Sequence, residues 1–108
     1  MKYAITSAAL LVATAASGEG YSCSEWSAPG YQEGGPIVAL ISDDRLTWTN
    51  GEVTEAARFL HSARTGMVRI FASDQAVYLV QGRDSLDVRR VFLVGRQAES
   101  TAVCAPLG

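Results

Sequence analysis

Short runs of apolar residues, separated by turn-forming residues, follow the N-terminal segment of the chain. Several of these runs alternate between apolar and polar positions or are rich in β-branched and aromatic residues, as strands are. Short strands at this spacing, with turns between them, are typical of a small antiparallel β-barrel or sandwich. The pattern therefore predicts a single all-β domain, with strands at residues 21–26, 37–41, 68–72, 76–80, 88–94 and 101–104.

The most specific local signal is Asn50-Gly51, which lies between two alternating segments. Asn-Gly is the preferred pair for a two-residue type I′ hairpin turn, because both central residues need positive φ. Closure by two residues would place Trp48 opposite Val53. Residues 55–61 continue the second strand but also have helical propensity, so both alternatives stand, with strand preferred. The Gly- and Pro-rich residues 28–36 predict a loop. We expect Trp48 in the core and Trp26 half-buried.

The chain begins with the features of a secretory signal peptide. Lys2 precedes an apolar stretch at residues 4–16, and small residues follow up to Gly18. The stretch is shorter than the roughly 20 apolar residues that span a membrane; the alternative is a buried N-terminal helix. The predicted organisation is a signal peptide at 1–18 and one small β domain at 19–108. We expect a periplasmic or secreted product that does not insert into the membrane after the signal is removed.

Cys23 and Cys104 lie near the two ends of the exported chain. In an oxidising compartment such a pair predicts a disulfide. Closing so long a loop stabilises a protein by about 4 to 5 kcal/mol on the chain-entropy model. The alternatives are two free thiols or a metal site. Two cysteines and one distant histidine do not fill a four-ligand zinc site, so we predict no metal and no other cofactor.

The formal net charge is −2, and removal of Lys2, the only lysine, leaves eight arginines against eleven acidic residues. A mildly acidic protein does not suit nucleic acid or an anionic membrane, so neither is predicted as a partner. It suits a basic protein partner instead. In Arg89-Arg90, neighbouring side chains of a strand point to opposite faces. We therefore expect one arginine on the more buried side, the alternative being a bulge, and one of the two paired with a carboxylate.

Little in the sequence points to catalysis. His61 is the single histidine, and the Gly-x-Ser-x-Gly elbow of serine hydrolases is missing. Two pairs of carboxylates, 43 with 44 and 84 with 87, lie at predicted turns, where Asp is favoured for its local hydrogen bonds. No Gly-rich loop precedes a helix, as a phosphate cradle requires. The chain is therefore not predicted to be an enzyme.

Several features in order carry a resemblance to a known family. Tyr21-Ser-Cys23 is followed by the hairpin, by Glu55-Ala-Ala-Arg-Phe59, by Ile70-Phe-Ala-Ser-Asp-Gln-Ala76 and by a closing cysteine. This order resembles the bacterial periplasmic and membrane-bound inhibitors of c-type lysozyme. Those proteins are small β-barrels with a disulfide to a C-terminal cysteine, and they place loop residues in the lysozyme cleft. The resemblance implies a partner-binding site formed by Glu55, Arg58, Phe59, Ser73 and Asp74.

The chain departs from the family motifs at the positions that touch lysozyme. Glu55 stands in place of the motif serine, and the motif lysine is replaced by Ser73 or deleted. Ala56, Phe59 and Phe71 replace the motif glycine, tyrosine and tryptophan. We predict an exported binding or inhibitor module, directed at a lysozyme-like and basic glycosidase. The alternatives are an envelope structural or adaptor protein with no enzyme target and, ranked last, a small enzyme.

Overall fold

The computed structural model describes residues 18–93 and 99–107, and these residues form ten strands and no helix. The predicted all-β class is confirmed. No helix among them is long and apolar enough to cross a membrane. The strands are β1 (Gly18–Cys23), β2 (Trp26–Ala28), β3 (Tyr31–Glu33), β4 (Ile37–Ser42), β5 (Arg45–Thr49), β6 (Thr54–Ala63), β7 (Val68–Ala72), β8 (Ala76–Gly82), β9 (Leu86–Phe92) and β10 (Glu99–Pro106).

Eight of these strands close into an antiparallel barrel. Their order is β1-β4-β5-β6-β7-β8-β9-β10, and β1 pairs with β10 to complete the ring. Strands β2 and β3 form a small hairpin beside the barrel, which reaches β10 through the pair Thr101 and Ser27. Of the two predicted architectures, the structure is therefore the barrel.

The barrel interior is filled by alternate residues of each strand, as the period of a β-strand requires. Trp26 and Trp48 meet edge to face in the centre, with ring centroids 5.4 Å apart. Both are about 1% exposed, so the expectation that Trp26 is half-buried was wrong, because β2 carries its side chain into the core. The other core side chains include Tyr21, Ile37, Ile41, Leu46, Phe71, Tyr78, Val80, Leu86 and Val88.

The disulfide lies at the seam where the barrel closes. Cys23 of β1 and Cys104 of β10 are directly opposite each other, with an S–S distance of 2.03 Å, and both are buried. The predicted bridge is confirmed. The seam itself is short, with only three residue pairs, and one of them contains Pro106, which has no backbone N–H to donate. A buried disulfide suits an extracellular or periplasmic fold.

The hairpin after β5 does not have the predicted two-residue turn. Thr49 pairs with Thr54 and Trp48 pairs with Glu55, so four residues form the turn. Gly51 alone has positive φ there, whereas a type I′ turn requires it at Asn50 as well. The Asn50 side chain explains the difference, because its Oδ1 accepts hydrogen bonds from the backbone N–H groups of residues 52 and 53, at 2.9 and 2.8 Å. Glu55, and not Val53, therefore lies opposite Trp48.

Residues 55–61 are strand, as preferred, and belong to β6. This strand contains a bulge, because Phe59 pairs with Phe71 and His61 pairs with Ile70, which leaves Leu60 as the extra residue. In β7 the predicted alternation fails, since Val68 and Phe71 are both buried. Phe71 faces the core, whereas Val68 lies outside the core cluster at the start of the strand.

Several predicted boundaries were also wrong. The first predicted strand divides into β1, which ends at Cys23, and β2, which begins at Trp26. The predicted loop at 28–36 contains β3, which pairs with β2. The last strand extends over Glu99–Pro106, longer than predicted. Val94, the predicted end of the ninth strand, lies outside the described residues.

Most of the predicted signal peptide, residues 1–17, lies outside the described residues. Its predicted last residue, Gly18, opens β1 and pairs with Ser42. We expect cleavage between about Ala15 and Gly20. A cut before Gly18 leaves β1 whole, whereas a cut after Gly20 removes three of its pairs with β4. The intact mass of the exported protein tests this expectation, and a mature form that retains Lys2 would contradict it.

Candidate functional site

An open concavity of about 390 Å³ lies where β6, β7 and the turn between β7 and β8 meet. We call it the β6–β7 concavity, and its lining residues are Glu55, Ala56, Arg58, Leu60, Ala72, Ser73, Asp74 and Gln75. Four of the five predicted partner-binding residues are therefore brought together on one surface. The fifth, Phe59, is half-buried and packs edge to face on Phe71, with ring centroids 5.6 Å apart.

The Glu55 carboxylate is held in place by two linked hydrogen bonds, one partly buried and one buried. The Tyr78 hydroxyl donates to Glu55 Oε1 at 2.6 Å, and the Trp48 indole Nε1–H donates to the Tyr78 oxygen at 2.9 Å. The pairing of β5 with β6 positions these hydrogen bonds, because it places Trp48 directly opposite Glu55. Glu55 is thus a half-buried carboxylate at a defined position, supported from the core, and not a mobile surface side chain.

Tyr78 makes stability depend on pH in the alkaline range. Burial, followed by the hydrogen bond to Glu55, raises the pKa of Tyr78 well above its usual value near 10. The folded protein holds the phenolic proton more tightly than the unfolded chain. The resulting contribution to the free energy of unfolding is therefore complete below about pH 10 and is lost as the pH rises further. Burial and the hydrogen bond to Glu19 also raise the pKa of Tyr21.

We expect the free energy of unfolding to fall between about pH 8 and about pH 11, and to fall less in Tyr78→Phe. Urea denaturation of both proteins at the two pH values measures the difference. The variant should also be less stable at pH 8 by about 1 to 3 kcal/mol, because the Trp48 indole and the Glu55 carboxylate lose their partner. An equal pH-dependent loss in the two proteins would contradict the assignment to Tyr78.

A buried arginine lies inside the barrel beside this chain of hydrogen bonds. Arg90 is 2% exposed, with its guanidinium carbon 4.4 Å from the ring centroids of both Trp26 and Phe92, and its Nε donates to Ser100 Oγ at 3.0 Å. Arg89 points outward and lies 3.5 Å from Glu99. The expectation that Arg89 and Arg90 face opposite sides, with one of them paired to a carboxylate, is confirmed.

The turn between β7 and β8 positions two further predicted residues. The Ser73 Oγ accepts hydrogen bonds from the N–H groups of Gln75 and Ala76, at 3.3 and 3.2 Å, so this hydroxyl serves first to close the turn. Asp74 is exposed at its tip. Sequence reasoning missed Gln75 and Leu60 as lining residues. Leu60 reaches the concavity at the bulge, for which the sequence carries no reliable signal.

The other residues weighed for chemistry lie apart from this site. His61 is exposed, and its Nδ1 lies 3.2 Å from the backbone oxygen of Ser62. Asp44 lies in the turn between β4 and β5, where it accepts a hydrogen bond from the Ser42 hydroxyl at 2.9 Å. Within residues 18–93 and 99–107, no cluster of three or more His, Cys, Asp or Glu side chains is suited to a metal ion.

A second surface, on the outer face of β1, β4 and β10, is apolar. Leu40 and Leu107 both lie against Gly20, at 3.5 and 3.0 Å from the position that a Cβ atom would take there. Val38 is 44% exposed and Leu107 is 55% exposed. We call this surface the β1–β4 apolar face.

The fold and site define a disulfide-closed, eight-stranded antiparallel barrel with a concave surface of mixed charge. Comparison with protein-family models, curated proteins and solved structures finds no match for the chain.

Proposed function

We propose that this protein is an exported, periplasmic binding module that uses the β6–β7 concavity to inhibit a lysozyme-like glycosidase. One observation carries the proposal. The two segments that resemble the inhibitor motifs, one with Glu55 and Arg58 and the other with Ser73 and Asp74, are separated in sequence but line the same concavity. The proposal assigns no catalytic residue and no cofactor to the chain.

The construction of the concavity supports a binding role. Binding sites are most specific when their side chains are held by packing and by further hydrogen bonds. Glu55 is held by Tyr78, and the β7–β8 turn is closed by the Ser73 hydroxyl. The net negative charge of the chain favours encounter with a basic enzyme. The disulfide suits the oxidising periplasm, where such an enzyme would act.

The Glu55 carboxylate predicts weak or no inhibition of ordinary c-type lysozyme. Glycosidases of this kind use two carboxylates in their cleft, and like charges brought close in a desolvated interface are costly. Glu55→Gln removes the charge but keeps an oxygen that can accept the Tyr78 hydrogen bond. We expect Glu55→Gln to strengthen binding by about tenfold or more, and Glu55→Ser to strengthen it less, because serine does not reach Tyr78.

Titration of lysozyme activity against the three proteins tests both the proposal and the role of Glu55. Asp84→Asn is the matched control, because it removes the same charge in the turn after β8, at the opposite end of that strand from the Ser73 turn. If the wild type inhibits lysozyme strongly and both Glu55 variants lose that inhibition, the motif has been placed incorrectly. No binding by any form would remove lysozyme as the target.

A second candidate function is an envelope adaptor without an enzyme target, and the β1–β4 apolar face favours it. Exposed apolar patches on a small exported protein mark contact surfaces. An adaptor of this kind predicts that Val38→Ser and Leu107→Ser abolish co-purification with envelope partners. Neither change should alter a titration against lysozyme, since both residues lie away from the β6–β7 concavity.

A further inference from the structure

Two arginines face each other across neighbouring strands beside the β6–β7 concavity. Arg45 of β5 pairs directly with Arg58 of β6, and both side chains are exposed. They point outward, since each is adjacent to a core residue, Leu46 or Ala57, that points inward. Like charges at directly opposite positions destabilise a sheet. No other arginine of the described strands has an arginine as its direct partner.

Within the described part of the chain, neither Arg45 nor Arg58 forms an ion pair. Among residues 18–93 and 99–107, no carboxylate lies within 4 Å of either guanidinium. The nearest acidic residue in sequence, Asp44, receives a hydrogen bond from Ser42. The other strand neighbour of Arg58 is Ala72, and Ala56 lies two positions before it, so small side chains leave the guanidinium accessible from the concavity.

We propose that the Arg45–Arg58 pair binds carboxylate side chains on a protein partner that docks on the β6–β7 concavity. A guanidinium offers donors in a planar fork that matches a carboxylate, so two adjacent guanidiniums can bind one or two carboxylates. The partner is a protein and not a nucleic acid, because the chain is acidic overall and two cations do not hold a polyphosphate backbone. This inference rests on the proposed function and adds to it the chemistry that the partner must present.

The concavity thus carries two charge signs in fixed places. Asp74 is its exposed carboxylate, and Arg58, together with Arg45 beside it, supplies positive charge on the outer face, whereas the Glu55 carboxylate lies on the inner side of β6, bound to Tyr78. A matching partner presents acidic groups to the arginine pair while it keeps its own carboxylates away from Asp74. Such a pattern gives selectivity, because a partner with a uniformly charged surface is repelled at one end of the site.

The test uses the oxidised, exported protein labelled with ¹⁵N, and hexaglutamate as the carboxylate probe. We expect hexaglutamate to shift the Nε–Hε resonances of Arg45 and Arg58, and to leave that of Arg83 unchanged. Arg45→Gln and Arg58→Gln should each weaken binding by roughly tenfold. Arg83→Gln, an exposed change in the turn after β8, is the control and should have no effect. Equal shifts with inorganic phosphate at matched ionic strength would overturn the assignment to carboxylates, and so would equal weakening in all three variants.

Thermal unfolding gives a second readout that needs no ligand. If the two arginines repel each other in the free protein, Arg45→Gln should have the wild-type melting temperature or one about 1 to 3 °C higher at low ionic strength. The difference should disappear in high salt, where exposed charges are screened. A fall in melting temperature larger than that of Arg83→Gln would show that Arg45 stabilises the fold, and would overturn the proposal.

The lysozyme titration separates this inference from the proposed function. If hexaglutamate binds at the arginine pair but lysozyme is not inhibited by any form, the inference stands and the glycosidase target is wrong. If lysozyme is inhibited equally by the wild type and by a protein with both arginines changed to glutamine, the target stands and the inference is wrong.

Discussion

Reduction of the Cys23–Cys104 disulfide should lower the melting temperature by well over 10 °C. The bridge spans 81 positions, for which the chain-entropy model gives about 4 to 5 kcal/mol. For a domain of this size, each kcal/mol corresponds to about 4 to 8 °C. The effect should be especially large here, because the disulfide joins the β1–β10 seam, which has only three residue pairs to hold the barrel closed.

Differential scanning calorimetry with and without reductant measures this shift. The double variant with Cys23→Ala and Cys104→Ala should behave like the reduced protein, which separates loss of the bridge from side effects of the reductant. Two thiols that titrate freely in the native exported protein would refute the bridge. A shift of only a few degrees would show that the seam is held mainly by its packing.

Replacement of Arg90 by alanine should destabilise the barrel by about 3 kcal/mol or more. The change empties a volume enclosed by Trp26 and Phe92, and it removes desolvated cation–π contacts worth about 2 kcal/mol. It also leaves the buried Ser100 hydroxyl without the Nε donor. Arg89→Ala is the matched control, one residue away but on the outer face. It loses an exposed ion pair, for which about 0 to 1 kcal/mol is typical.

Chemical denaturation of the two variants compares the losses directly. Arg90→Met serves as a third protein, because it fills most of the volume without burying a charge. We expect it to lose less stability than Arg90→Ala, since burial of an ion carries its own desolvation cost. Similar values for Arg89→Ala and Arg90→Ala would contradict the role given to Arg90 in the core.

The sequence predicted the class of the fold because strand signals are local. The apolar run at 37–41, the turn residues at 43–44 and the β-prone run at 76–80 each identify an element without reference to the rest of the chain. The disulfide was predictable from the number and position of the cysteines. For Arg89 and Arg90, the period of the strand required opposite faces, but the sequence did not indicate which arginine is buried.

Register was the part that could not be predicted. The Asn50 side chain caps a four-residue turn, and this shifts the pairing of β5 with β6 away from the one that the Asn-Gly pair suggests. The bulge at Leu60 shifts a different pairing, that of β6 with β7. The bulge depends on how neighbouring strands fit together, whereas the Asn50 cap is a local alternative to the two-residue turn that the same Asn-Gly pair favours. As a result, the sequence indicated Glu55 as a site residue only through a resemblance, and could not show its support by Tyr78 and Trp48.

The position of the β1–β10 seam has a consequence for the order of folding. Strands β4 to β10 pair only with their neighbours in sequence, apart from contacts made by β1 and β2, so this meander can form by local hairpin steps. The ring closes only when the last strand meets the first, which is the contact of longest sequence separation in the barrel. Until β10 has paired with β1, the sheet keeps two unpaired edges and Cys23 has no disulfide partner. Before the barrel closes, edge-to-edge association and mispairing of thiols are therefore the errors of folding to expect.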